Sequence, residues 1–292
     1  MHIENNKDAG GTMQRKTEEQ ITLSIEKCVA AVIQKKQQAL DLKPFHEALL
    51  TKPLIIASSF ERSFSSSFGK NTIEEISRLI AAETSGEVVP QKQTIVNITQ
   101  SSVDEIGRIL RLLREGSVTP NWQKEQDRVI ASNKGPYITH NVKSDLWLKR
   151  GSKEIFCSIK TVKPNLDQCE IAKKDMLMLK AHDPKYETYI CFYYNPSGLQ
   201  KQDYSWSFTK RMFDTAKDDC VLIGPDYWDF LGGPGTYINL LKIFEKVGVN
   251  EGTIKRYNVN QTNTSCFWWD LTKFSIQLTS SVFLYLEYGN PG

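Results

Sequence analysis

The sequence predicts an α/β fold, with a central mixed β-sheet flanked by helices. Three observations predict it. The second half of the chain reads strand, strand, helix, strand, helix, strand, an order that puts helices on the faces of a mixed sheet. The first half is dominated by apolar residues at helical spacing, interrupted by one alternating run. Across 292 residues, 40% hydrophobic and 24% charged content is ordinary for a globular chain with a sizeable core.

Residues 1–16 read as a flexible polar tail and 17–292 as a single domain, because no linker-like stretch divides the chain. Ile21, Ile25, Val29, Val32 and Ile33 recur at helical spacing over 17–42, and Pro44 is expected to end that helix. A serine-rich loop is expected over 57–69, ahead of a helix built on Ile73, Ile76, Leu79, Ile80 and Ala81. The segment 93–99 alternates and is rich in β-branched residues, which predicts a strand. A helix over 103–114 carries Ile106, Ile109, Leu110 and Leu113, with Arg108, Arg111 and Arg114 on its solvated face.

Strands over 137–149 and 154–162 flank the turn Arg150-Gly151-Ser152-Lys153. A helix over 166–180 follows, then an apolar strand over 186–194, stopped by Asn195-Pro196-Ser197-Gly198. A helix over 208–216, a short strand over 220–224 and a helix over 237–247, capped by Thr236, complete the pattern.

Composition excludes several classes. No apolar run is long enough to span a bilayer, and the polar N-terminus has no apolar signal core, so the expected location is cytoplasmic with no membrane partner. The six cysteines contain no CxxC pair, which argues against structural zinc and a disulfide framework. A net charge of +3 permits nucleic-acid binding without arguing for it.

The hairpin carries the chemistry. If residues 150–153 close it, Asp145 stands opposite Ser158, and alternation puts Asp145, Trp147, Ser158 and Lys160 on one face. Leu146, Leu148, Ile155, Cys157 and Ile159 form an apolar set on the other. An acid beside a lysine suits phosphodiester hydrolysis. The carboxylate can hold Mg²⁺ against a phosphate, and the lysine can position water and stabilise charge on the phosphoryl oxygens. A strand-borne Asp, a turn, and a strand ending in acid–x–Lys is the pattern of PD-(D/E)xK nucleases. Ser158 departs from it, since a hydroxyl is a poor ligand for a hard dication. Asp167 or Glu170 on the following helix, or Glu74 or Glu75 on the earlier one, are the candidates to supply the missing acid.

Three blocks resemble the TdeIII family of type II restriction endonucleases. They are Ser63-Phe64-Ser65-Ser66-Ser67-Phe68-Gly69; Ser144–Lys149 with Ile159–Asn165; and Tyr227-Trp228-Asp229-Phe230-Leu231-Gly232-Gly233 leading into Thr236-Tyr237. The resemblance implies a PD-(D/E)xK restriction-endonuclease-like fold and Mg²⁺-dependent double-strand cleavage of DNA at a short palindrome of the GGNCC type. It also implies a homodimer working beside a cognate DNA methyltransferase. Asp145 then matches the metal-binding Asp, Lys160 the catalytic Lys and Glu74 the helix glutamate, while related enzymes with Ser at the Ser158 position draw an acid from the downstream helix, as Glu170 or Asp167 would here.

Lys143, Lys163 and Asn165 are candidate DNA contacts, Asn165 being equally readable as a helix cap. The glycine-rich stretch 232–236 lacks the Gly-Lys-Ser/Thr ending of a nucleotide-binding loop and reads as a turn into a helix. The aromatic runs 267–269 and 283–288 read as core or a dimer face. The alternative to a nuclease is a catalytically inactive DNA-binding protein that keeps the nuclease fold, and Ser158 is the feature favouring it.

Overall fold

Among the described residues, five strands form one mixed sheet in the order β1-β2-β3-β4-β5: Glu87–Thr99, Tyr137–Arg150, Lys153–Lys160, Glu187–Phe192 and Val221–Ile223. The pairs β1–β2 and β2–β3 are antiparallel, and β3–β4 and β4–β5 are parallel. The hairpin register is the one expected, with Leu146 opposite Cys157 and Arg150 opposite Lys153. A computed structural model describes residues 13–38 and 44–249.

The helices are α1 (Arg15–Gln38), α2 (Pro44–Leu49), α3 (Lys52–Ser67), α4 (Ile73–Thr84), α5 (Gln100–Glu115), α6 (Trp122–Ala131), α7 (Leu166–His182), α8 (Ser207–Met212), α9 (Pro225–Gly232) and α10 (Thr236–Val249). The described chain packs as two compact units. One is the described part of Met1–Cys28 with Ser65–Val247, and the other is the described part of Val29–Phe64 with Gly248–Gly292. The whole sheet and every candidate site residue lie in the first unit.

Several boundaries differ from expectation for physical reasons. The helix α1 begins at Arg15, inside the stretch read as tail, and Met13 just ahead of it is already buried. Pro44 opens α2 rather than closing α1; its fixed φ and missing N–H suit a first helical turn. The serine-rich stretch is helical, continuing through a π turn at Phe68–Thr72 into α4. Phe60 and Phe64, one turn apart, stack with ring centroids 6.5 Å apart, a helical periodicity that the serines between them obscured. Three short helices, α2, α6 and α9, had no expectation attached. The aromatic runs 267–269 and 283–288 lie outside the described residues.

Both faces of the hairpin are covered, which corrects the reading of one apolar and one polar face. Trp147 and Phe156 share the acid's face and are buried with Cys169, Ala172 and Met176 of α7. A parallel β3–β4 pair needs a crossover, and here the crossover is α7, packed across that face. Alternation sends Leu146, Leu148, Ile155 and Cys157 to the opposite face, where all four are buried. Away from the exposed turn, the end of the hairpin at Asp145 and Lys160 is left partly open.

The stretch 232–236 does turn into a helix, but Asp229 rather than Thr236 caps it: Thr236 is the first residue of α10 and its hydroxyl donates to the Gly233 carbonyl at 2.7 Å. The Asp229 carboxylate accepts from the backbone N–H groups of Gly235 (3.2 Å) and Tyr237 (2.9 Å). Gly232 is required by close approach, since a Cβ there would sit 2.7 Å from Ile80 Cγ2 of α4.

Candidate active site

Asp145 on β2 and Lys160 at the end of β3 converge. Asp145 Oδ2 accepts from the Ile159 backbone N–H at 2.7 Å and lies 3.5 Å from Lys160 Nζ. Each side chain is about one-fifth exposed (22% and 21%), so the pair is accessible at one end yet shielded enough for its charges to act. Lys160 is paired with Phe192 across β3–β4, Asp145 is held between the paired Ser144 and Leu146, and the N–H bond from Ile159 fixes its carboxylate.

Glu74, in the first turn of α4, joins this pair. Burial is the main cause that raises its carboxyl above the ordinary range; the charge of Asp145 adds to it, while Lys143 and Lys160 oppose it. Its carboxylate accepts from Gln91 Nε2 at 2.6 Å. The neighbouring Glu75 is turned away and pairs with Arg78 at 2.7 Å, which separates the two glutamates that the sequence left open.

On the downstream helix, a different acid from those expected lies near the pair. Glu170 and Asp167 both pair with Arg114 of α5, Asp167 at 2.8 Å, and the structure does not bring either to Asp145. Asp175, further along α7, is the acid that feels both Asp145 and Lys160; burial first, then the Asp145 charge, raises its carboxyl to about 6 against the pull of Lys174 and Lys160. The sequence reading missed Asp175 and Gln91. The available signal for Asp175 was a lone acid ahead of the apolar run Met176–Leu179.

Lys143 is exposed on β2, two residues before Asp145, within electrostatic reach of Glu74. Lys163 is exposed, with Nζ 5.6 Å from the Trp206 ring centroid. Asn165 caps α7, its Oδ1 accepting from the Gln168 N–H at 2.8 Å, so the helix-cap reading describes its side-chain oxygen.

No three acidic, histidine or cysteine side chains among the described residues form a ready-made metal cage. Glu74 and Asp145 still suit a hard dication, since both offer only oxygen ligands and Mg²⁺ binds through one or two carboxylates completed by water and substrate phosphate.

The raised Asp175 carboxyl has a measurable consequence. Its unfolded counterpart ionises at about 4, so the folded state holds the proton longer and loses stability as pH rises from about 4 through 6. In EDTA, Asp175→Asn should remove that fall and gain about 2 kcal/mol at pH 8, with no gain below about pH 4. Urea midpoints across pH test this; a difference independent of pH would contradict it.

An α/β unit with an acid–lysine cluster at the open end of a mixed sheet is consistent with a restriction endonuclease. The family model described as "Type II restriction endonuclease, HinfI" matches residues 13–248. The chain belongs to that family of site-specific DNA endonucleases. Among its relatives, the type II restriction enzyme HgiEI of Herpetosiphon aurantiacus is 33% identical over 221 residues, covering 72% of this chain and 78% of the relative. HgiCII from the same organism is 28% identical over 224 residues, covering 73% and 80%. MjaII of Methanocaldococcus jannaschii is 27% identical over 196 residues, covering 60% and 50%. Among the described residues no helix is long and apolar enough to cross a membrane.

Proposed function

We infer that the chain cleaves both strands of duplex DNA with Mg²⁺, through a PD-(D/E)xK-type site in which Ser158 takes the place of the usual acid. The observation that carries this reading is the 3.5 Å approach of Lys160 Nζ to Asp145 Oδ2, next to Glu74. Asp145 and Glu74 would hold Mg²⁺, with Asp175 standing in for the acid absent at position 158. The bound ion supplies Lewis acidity at the scissile phosphate. Lys160 orients a water for attack and donates to a phosphoryl oxygen, where negative charge grows in the transition state. Lys143 and Lys163 contribute backbone contacts outside the reacting group.

The substrate is a short palindrome, of the GGNCC type implied by the TdeIII resemblance. It is read by a homodimer that places one site on each strand, with a cognate methyltransferase protecting the host. Incubation with phage DNA and Mg²⁺ should yield discrete bands, lost in EDTA, and sequencing the ends defines the site. Retarded but uncut DNA would instead support the inactive binding protein that Ser158 favours.

Asp175 and Glu170 separate the two versions of the metal site. Asp175→Asn should lower cleavage by about 10- to 100-fold, and Glu170→Gln should leave it unchanged. Steady-state cleavage of a supercoiled plasmid reads both; the reverse ranking would return the third acid to Glu170.

A further inference from the structure

Gln91 is the only non-glycine residue with positive φ among the described residues, at φ 52°. That region is sterically costly for a side chain with a Cβ, and such strain persists where surrounding structure imposes it, often at functional sites. Gln91 follows Pro90, and the β1–β2 ladder is paired on either side of it, Pro90 opposite Leu146 and Lys92 opposite Ser144. Gln91 therefore stands level with Asp145. Its side chain donates to Glu74 Oε2 at 2.6 Å, bridging the edge strand to the first turn of α4.

The choice of an amide is informative. A lysine or arginine at this place would fix the Glu74 carboxylate but cancel the charge a cation needs. A carboxylate would repel it. The neutral Nε2–H of glutamine holds one oxygen of Glu74 and leaves its charge, and its other oxygen, for a ligand. Outer hydrogen bonds of this kind orient ligating carboxylates and tune their affinity.

We propose that Gln91 is a positioning residue: its strained backbone aims the amide at Glu74 and sets that carboxylate for a divalent cation shared with Asp145. The inference rests on the metal-site reading given above. Loss of the amide weakens cation binding without altering the fold of the sheet.

The test is Mn²⁺ titration of metal-free protein, read by the EPR signal of the free ion, alongside the Mg²⁺ concentration giving half-maximal cleavage. Q91A removes the amide but keeps the strain. Q91G removes both, so it should fold at least as well as the parent. Both variants are expected to weaken Mn²⁺ binding and raise the Mg²⁺ midpoint by about 10-fold or more. Parent-like values for Q91G in both measurements overturn the proposal, whatever happens to the melting temperature. E74Q distinguishes the two levels of the argument. If E74Q weakens Mn²⁺ binding and Q91G does not, only the role of Gln91 falls. If E74Q also binds as the parent does, the metal site itself is misplaced.

Discussion

Lys160→Ala is expected to slow single-turnover cleavage of duplex DNA by about 100- to 1,000-fold, the size of effect seen when a preorganised donor to a developing oxyanion is deleted. DNA retention in gels without metal should be nearly unchanged, because one phosphate-proximal cation is a small part of a backbone footprint. The geometry makes the effect specific to this lysine. Lys160 Nζ sits 3.5 Å from Asp145 Oδ2, on a strand end fixed by pairing of β3 to β4. Asp145→Asn should be at least as damaging, since the carboxylate accepts from Ile159 N–H and leaves its remaining lone pairs for a cation. Lys153→Ala is the control: it removes a cation from the same strand, 2.7 Å from Glu187 at the turn end of the hairpin, and cleavage should continue at the parent rate. Parent-rate cutting by Lys160→Ala would remove the site assignment.

The second large effect is on stability. Lys173 of α7 is fully buried, and its ammonium is bonded to the nearly buried Glu125 of α6. The cation also lies 5.2 Å from the Trp122 ring centroid and 4.3 Å from that of Phe213. Glu125 is held in turn by the Asn121 N–H at 2.8 Å. Lys173→Met should cost about 3–5 kcal/mol in urea unfolding, because it strands a carboxylate in the interior. The double variant Lys173→Met with Glu125→Leu should recover much of that loss, since a buried pair replaced by apolar groups is often close to neutral. A Lys173→Met protein as stable as the parent would mean that Glu125 is hydrated or neutral, and the network idle.

The hairpin shows how far local pattern reaches. Its turn residues set the register, alternation put Asp145 and Lys160 on one face, and the structure agrees at each pair from Leu146–Cys157 to Arg150–Lys153. Period-two alternation carries that information within a few residues. The helix α7 marks the limit. Cys169, Ala172, Lys173, Met176, Leu177, Met178 and Leu179 are all buried, because the helix covers the sheet and is flanked by α5, α6 and α8. With apolar residues around most of its circumference, no stripe tells which acid faces the site. Asp175 lies five residues beyond Glu170, about 140° around the helix at 3.6 residues per turn, so the two acids cannot serve the same neighbour. Arg114 on α5 takes one, and the Asp145–Lys160 pair takes the other.

The sequence by itself determined the succession of strands and helices in the second half of the chain, the register of the hairpin and the acid–lysine pair, because each follows from patterns among residues near in the chain. Tertiary structure alone decided which distant groups lie beside that pair: Glu74 rather than Glu75, Asp175 rather than Glu170, and Gln91 with its left-handed backbone. Those choices depend on how α4 and α7 are rotated against the sheet, and that rotation is set by packing across the whole core.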